Sequence, residues 1–236
     1  MKVTYLLNSG FMIKEENILM LFDDFDDPTK IVDRVVAKGN FEKFYIFVSH
    51  AHFDHFGTHI RAYSDQATRY IFSNDIKRTR RVKMFPPDNI TFVKKYNEYE
   101  FDGIKVQTFD STDVGVSFLV ETESGKKIFH AGDFNWWDWE EDTEANRFLA
   151  MKDFKRQMKK LYTLSADIAF FPVDGRLGNT QEKGVTEFAQ KTDIKNLVAM
   201  HRVNYPEWKP SQNFLSTVQK DIPIWSPTEP GEYKIF

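Results

Sequence analysis

At 236 residues with a net charge of −3, the chain has a length that one two-sheet domain can fill, and it lacks the basic excess of a nucleic-acid-binding surface. Its 41% hydrophobic content supports a sizeable core, and the high aromatic share of 16%, with Phe at 23, either enlarges that core or lines a pocket. Cysteine is absent, which excludes disulfides, thiol catalysis and zinc–thiolate sites and leaves any metal to nitrogen and oxygen ligands. No run approaches the ~18 apolar residues of a membrane span, and the stretch from Met1 to Gly10 is too short and polar for a signal peptide. The expectation is one cytoplasmic domain over residues 1–236, an enzyme or a binding module, with no nucleic-acid or membrane partner.

The first elements read as paired strands. Val3–Leu7 and Gly10–Ile13 are followed by the apolar run Ile18–Phe22, which ends in Asp23-Asp24. Asp27-Pro28 opens a helix with Ile31, Val32, Val35 and Val36 at helical spacing. Phe44–Val48 is a short buried strand running directly into Ser49-His50-Ala51-His52. Tyr70–Ser73, Ile90–Val93, Ile104–Phe109, Val116–Glu121 and Lys127–Phe129 are further strands, the last leading into His130-Ala131-Gly132-Asp133. Met151–Tyr162 is expected as an amphipathic helix, with Met151, Phe154, Met158 and Leu161 on one face. Buried strands Ile168–Val173 and Leu197–Met200 end at Asp174 and His201. Polar residues thus sit repeatedly at strand exits, where a rigid sheet can position them. Two sheets packed face to face, with helices outside, account for the order.

The strongest chemical signal is His50-x-His52-x-Asp54-His55, three imidazoles and a carboxylate within six residues. Neutral imidazole suits zinc, iron and manganese, and a carboxylate compensates charge. On an extended loop, residues two apart point the same way, so His50 and His52 can grip one ion while Asp54 and His55 grip a second. A polar surface loop is the alternative. It fits poorly with a run that follows a buried strand and is threaded by Ala51, Phe53 and Phe56.

This motif resembles the signature of the metallo-β-lactamase-fold hydrolases, in their lactonase- and phosphodiesterase-like branch. The later motifs keep the family's order over roughly residues 3 to 230: strands around Asn8-Ser9-Gly10-Phe11, an acidic strand end at Asp23, Gly132-Asp133 after a central strand, and His201 after a hydrophobic one. The resemblance implies a four-layer αββα sandwich of two mixed sheets with helices outside. It also implies one or two divalent ions (zinc, or manganese or iron) held by His50, His52, Asp54, His55, Asp133 and His201, with Asp133 bridging two ions and Asp54 orienting the attacking hydroxide.

One departure is clear. Where the family places a further histidine, in a segment like Gly-His-Thr-x-Gly, this chain reads Asp110-Ser111-Thr112-Asp113-Val114-Gly115. Asp113 or Asp110 is expected to supply oxygen there and to favour harder ions; a plain turn role for Asp113 is the competing reading. His130 is a candidate catalytic group, either a proton shuttle or a donor to a ligand, against a buried histidine satisfied by its neighbours. His59 reads as structural or peripheral.

Trp136 and Trp137, in the run Asn135–Trp139, are candidates for a pocket wall facing the substrate, with core packing or an oligomer interface as the alternative. Arg176 and Arg202 are candidates for holding a phosphate or carboxylate. The expected chemistry is metal-assisted hydrolysis of an ester, lactone, amide or phosphodiester in a small-molecule substrate. The rivals are a di-iron redox enzyme and a non-catalytic member of the fold. Oligomeric state stays open, a homo-oligomer included.

Overall fold

Ile18–Phe22 is buried at every position because its two faces meet different cores. Ile18, Met20 and Phe22 belong to the large apolar cluster, which includes the space between the sheets, whereas Leu19 and Leu21 point into a smaller cluster outside the first sheet. The parallel neighbour Lys43–Val48 alternates likewise, with Tyr45 and Phe47 on one side and Phe44, Ile46 and Val48 on the other. A strand covered on both faces needs no polar alternation, so these strands read as continuous apolar runs.

The computed structural model describes residues 1–236 as two seven-stranded sheets and a two-stranded ribbon. In the first sheet Lys2–Leu7, Gly10–Glu15 and Ile18–Phe22 are antiparallel; Lys43–Val48, Arg69–Ser73 and Ile90–Val93 then add in parallel. The second sheet begins as an antiparallel meander of Glu98–Phe101, Ile104–Asp110, Val116–Thr122 and Lys127–His130. It continues in parallel through Ile168–Pro172, Leu197–Met200 and Ile224–Trp225. Both sheets are therefore mixed. Phe118 meets Phe47 across the interface with ring centroids 5.3 Å apart, and Phe11 meets Phe170 at 4.5 Å.

Helix Ile31–Lys38 covers the outer face of the first sheet through Val32 and Val36. Asp27 starts it by accepting the Val32 N–H at 2.8 Å. On the second sheet, Phe188 of helix Glu182–Lys191 stacks on Phe171 and Phe129, and Phe154 of helix Glu144–Met158 on Phe134. The layers are αββα, as the resemblance implies. No helix is long and apolar enough to cross a membrane.

Several boundaries differ from the sequence reading. The helix expected over Met151–Tyr162 runs over Glu144–Met158. Thr143 caps it by accepting the Asn146 N–H at 3.2 Å, and Phe148 and Leu149 in its second turn are exposed, so this end carries no core-facing apolar stripe to read. Leu161 is buried beyond its end, on a turn. The edge strands Glu98–Phe101 and Tyr233–Ile235 and the helices Glu182–Lys191 and Gln212–Val218 were not expected.

Candidate metal centre

Strand exits from both sheets converge at one edge of the sandwich. The loop after Lys43–Val48 carries His50, His52, Asp54 and His55; the turn after Lys127–His130 carries Asp133; His201 follows Leu197–Met200. The segment 110–115 joins them through a close backbone approach. Gly115 has φ +82°, and a Cβ there would fall 2.0 Å from the Ser49 carbonyl oxygen and 2.5 Å from His50 Cβ. Only glycine fits, and Val116 N–H then donates to Ser49 O at 3.0 Å. This approach brings Asp113 beside His52.

The donor atoms fall into two groups, each gathered within 4.8 Å: His50, His52, Asp113 and Asp133 in one, Asp54, His55 and His201 in the other. Asp133 stands between them. Its Oδ2 lies 3.5 Å from His50 Nε2, while its Oδ1 lies 3.1 Å from His55 Nε2 and 3.6 Å from His201 Nε2. Asp54 Oδ2 is 3.6 Å from His201 Nε2, and Asp113 Oδ2 is 3.4 Å from His52 Nδ1. Among buried atoms without a hydrogen-bond partner are His55 Nε2, His201 Nε2 and Asp133 Oδ1, which face one another. Three such atoms turned to a common point fit a divalent cation, which would satisfy all of them at once.

Outer partners fix the imidazoles. His55 Nδ1–H donates to Asp23 Oδ2 at 2.8 Å, and His201 Nδ1–H to Asp174 Oδ2 at 2.9 Å. Ser49 donates through Oγ to Asp23 at 2.6 Å, so it accepts from His50 Nδ1–H at 3.0 Å. Each arrangement leaves Nε2 turned inward, as a metal ligand requires. Asn8 Nδ2 donates to Asp54 Oδ2 at 3.3 Å, and the Asn8 carbonyl accepts the His201 N–H at 3.1 Å. His201 itself holds a left-handed φ of +62°, a strained backbone conformation at a donor residue.

Electrostatics separate the histidines. Burial and the neighbouring His55 push His50 down to about 4, so it is neutral at pH 7. Burial opposes charge at His55 and His201 too. The Asp133 and Asp23 carboxylates nonetheless raise His55 well above its ordinary value, and Asp133, Asp174 and Asp54 raise His201 to about 9. Asp54 is drawn down to about 2 against its burial, by His201 and His55. A pH effect follows for the metal-free protein. His201 has a folded pKa above its unfolded value, so its stabilisation is complete below about pH 6.5 and disappears as pH rises through about 9. Thermal melts in chelator should therefore show a falling Tm between pH 7 and 10; a Tm constant over that range would contradict the pairing.

The other sequence candidates divide. Trp137 donates through Nε1 to the Asp133 carbonyl at 2.9 Å, stands edge-on to His201 and stacks on Trp139 at 5.9 Å. The Arg176 guanidinium lies over Trp139 at 5.5 Å and is tied to Asp174. With Phe53, these residues line a cleft of about 600 Å³ over the donors. Trp136 turns away, stacking on Phe154 between Lys155 and Lys183, so it is no wall of this cleft. Arg202 is buried and holds the Val173 and Pro206 carbonyls, which leaves it no reach to a ligand. His130 is fully buried behind the site; its Nε2–H donates to Ser9 O at 2.9 Å and its Nδ1 accepts from Gly132 N–H at 3.2 Å. Neither nitrogen is free to move a proton in the cleft. His59 pairs with Asp24 at 3.1 Å, outside the donor groups. Asp110 binds Lys95 and Gln157 instead of joining the cluster. Trp139 and Asn8 were passed over as site residues. Trp139 carried the same aromatic signal as its neighbours, whereas nothing in the sequence points to the contact between Asn8 and Asp54.

No protein-family model matches the chain. Two curated relatives do, both described as UPF0173 metal-dependent hydrolases. One, from Rubrobacter xylanophilus, is 25% identical over 223 residues, 87% of this chain and 83% of the relative. The other, from Methanosphaera stadtmanae, is 26% identical over 153 residues, 56% of this chain and 62% of the relative, less than two thirds of that protein's length. Among solved structures, Igni18, a metallo hydrolase from Ignicoccus hospitalis, superposes with a TM-score of 0.69 at 18% identity, covering 100% of this chain and 98% of that one. The metallo-β-lactamase-fold protein YhfI from Bacillus subtilis gives 0.59 at 11%, covering 99% and 98%. The diiron β-hydroxylase CmlA from Streptomyces venezuelae gives 0.64 at 10%, covering 100% of this chain and 54% of that one. The chain has the metallo-β-lactamase fold.

Proposed function

We propose that this metallo-β-lactamase-fold chain is a metal-dependent hydrolase that cleaves an ester, lactone or phosphodiester bond in a small molecule carrying a negative charge. The observation that carries the reading is the set of unpartnered buried atoms, His55 Nε2, His201 Nε2 and Asp133 Oδ1, between two groups of metal-ligating side chains. His50, His52, Asp113 and Asp133 would hold one ion, and Asp54, His55 and His201, with Asp133 shared, a second. When bound, divalent cations polarise the bond to be broken and acidify water.

The chain's own residues supply the rest. Asp54 is ionised at neutral pH and borders the cleft, so its carboxylate can accept a proton from a water or hydroxyl and orient it. Trp137 and Trp139 give the cleft a half-buried apolar wall beside His201, suited to the carbon skeleton of a substrate. Arg176 is the sole permanent cation among the cleft-lining residues, and its anchoring by Asp174 fixes where an anionic group would dock. Arg176→Met should therefore raise KM for anionic substrates on the order of tenfold to a hundredfold, matching ~1.5–3 kcal/mol for a charge-assisted hydrogen bond, and leave KM for neutral esters nearly unchanged. Equal effects on both classes would remove Arg176 from substrate recognition.

The test of the reading is hydrolysis of a panel of phosphodiesters, lactones and aryl esters by metal-loaded protein with zinc, manganese and iron(II). Turnover of none of them would contradict it. A di-iron redox role is the second reading, favoured by the oxygen-rich donor set that Asp113 completes. Anaerobic reduction followed by oxygen exposure, watched by optical and Mössbauer spectroscopy, separates the two.

A further inference from the structure

The loop that carries the metal motif is itself held from outside. Two short 3-10 helices, Asn74–Arg78 and Arg81–Met84, follow strand Arg69–Ser73 and lie behind residues 51–56. Asp75 Oδ2 accepts the Ala51 N–H at 2.8 Å. Arg81 donates through Nη2 to the Ala51 carbonyl and through Nη1 to the Phe56 carbonyl at 2.8 Å, with its guanidinium 4.9 Å from the Phe56 ring centroid. The loop's internal bonds are few: His55 and Phe56 N–H both turn back to the His52 carbonyl, at 3.3 and 3.0 Å. Asp75 makes its contact with its other oxygen, Oδ1, buried and unpartnered, a costly placement for a carboxylate.

We propose that Asp75 and Arg81 form a clamp that sets the geometry of the metal-ligand loop, and that they divide the work between the two ions. The proposal rests on the metal-centre reading above. Ala51 lies between His50 and His52, so Asp75 fixes the spacing of the two imidazoles of the first donor group alone. Arg81 bridges Ala51 to Phe56, the residue after His55, and so fixes the loop at both ends and the two donor groups relative to each other. A guanidinium suits this task because its planar fork addresses two carbonyls at once. Neither side chain touches the donors or lines the cleft; both are positioning residues.

The clamp is tested with Asp75→Ala, Arg81→Met and Arg81→Lys on the full chain. In the metal-free proteins, amide hydrogen exchange should quicken at least ~10-fold at residue 51 in Asp75→Ala, and at residues 51, 55 and 56 in Arg81→Met. Exchange across Ile18–Phe22 should stay at the wild-type rate, which shows that the fold is kept. Titration with manganese or zinc should then show Asp75→Ala retaining about one tight ion per chain while its other site weakens ~10–100-fold. Arg81→Met should weaken both sites, and Arg81→Lys should restore part of the loss. Unchanged exchange at 51–56 in both variants would overturn the clamp, even if no ion binds. Wild-type protein that binds no ion would sink the metal reading alone. Quickened exchange with both ions bound at wild-type affinity would overturn the role in metal geometry.

Discussion

Asp133→Ala is expected to lower kcat/KM on any confirmed substrate by at least ~10³-fold and to strip both ions from the protein. Asp133 is 6% exposed, and its two oxygens face different donor groups, Oδ2 toward His50 and Oδ1 toward His55 and His201. Four histidines otherwise contribute no negative charge, and Asp54 and Asp113 lie on opposite sides of the pair, one in each group. Removing Asp133 therefore leaves two cations with no anion between them. Metal content by elemental analysis, with circular dichroism to confirm the fold, checks the expectation. Wild-type turnover by the variant would refute the bridging role.

Asp113→Ala should lose about one ion per chain and keep the other. The structure places Asp113 Oδ2 within reach of His52 Nδ1, and its carboxyl sits above the ordinary range because of burial and the nearby Asp133 charge. An anion held against that repulsion is stabilised by a cation, and a turn residue has no need of the position. The companion variant, Asp113→His, sharpens the test. It replaces a hard oxygen donor by imidazole and should move metal preference from manganese or iron(II) toward zinc. Unchanged stoichiometry in the first variant and unchanged preference in the second would leave Asp113 as a turn residue.

The sequence was most legible where chemistry is dense. Three histidines and an aspartate within six residues have few uses besides gripping metal, and apolar runs ending in His50, Asp133, Asp174 and His201 marked the strand exits that converge. Covered sheets leave unmistakable runs such as Ile18–Phe22, which is why the strands of both sheets' interiors were found and the polar edge strands Glu98–Phe101 and Tyr233–Ile235 were not. Orientation was not legible. Trp136 and Trp137 are adjacent, yet one packs on Phe154 and the other on His201, because successive residues of the turn after Asp133 point to opposite sides of the second sheet's end. Arg202 adjoins a candidate ligand but turns inward to two carbonyls. Asp113 came within reach of His52 only through Gly115 lying against Ser49, a contact between segments some sixty residues apart.

The central claim is that seven side chains from four loops hold two ions that share Asp133. Crystals of protein loaded with manganese, measured at wavelengths either side of the metal absorption edge, test it most directly. The expected anomalous map holds two peaks roughly 3.5–4 Å apart, one among His50, His52, Asp113 and Asp133, the other among Asp54, His55, Asp133 and His201. A single peak, or none within bonding distance of Asp133, would contradict it.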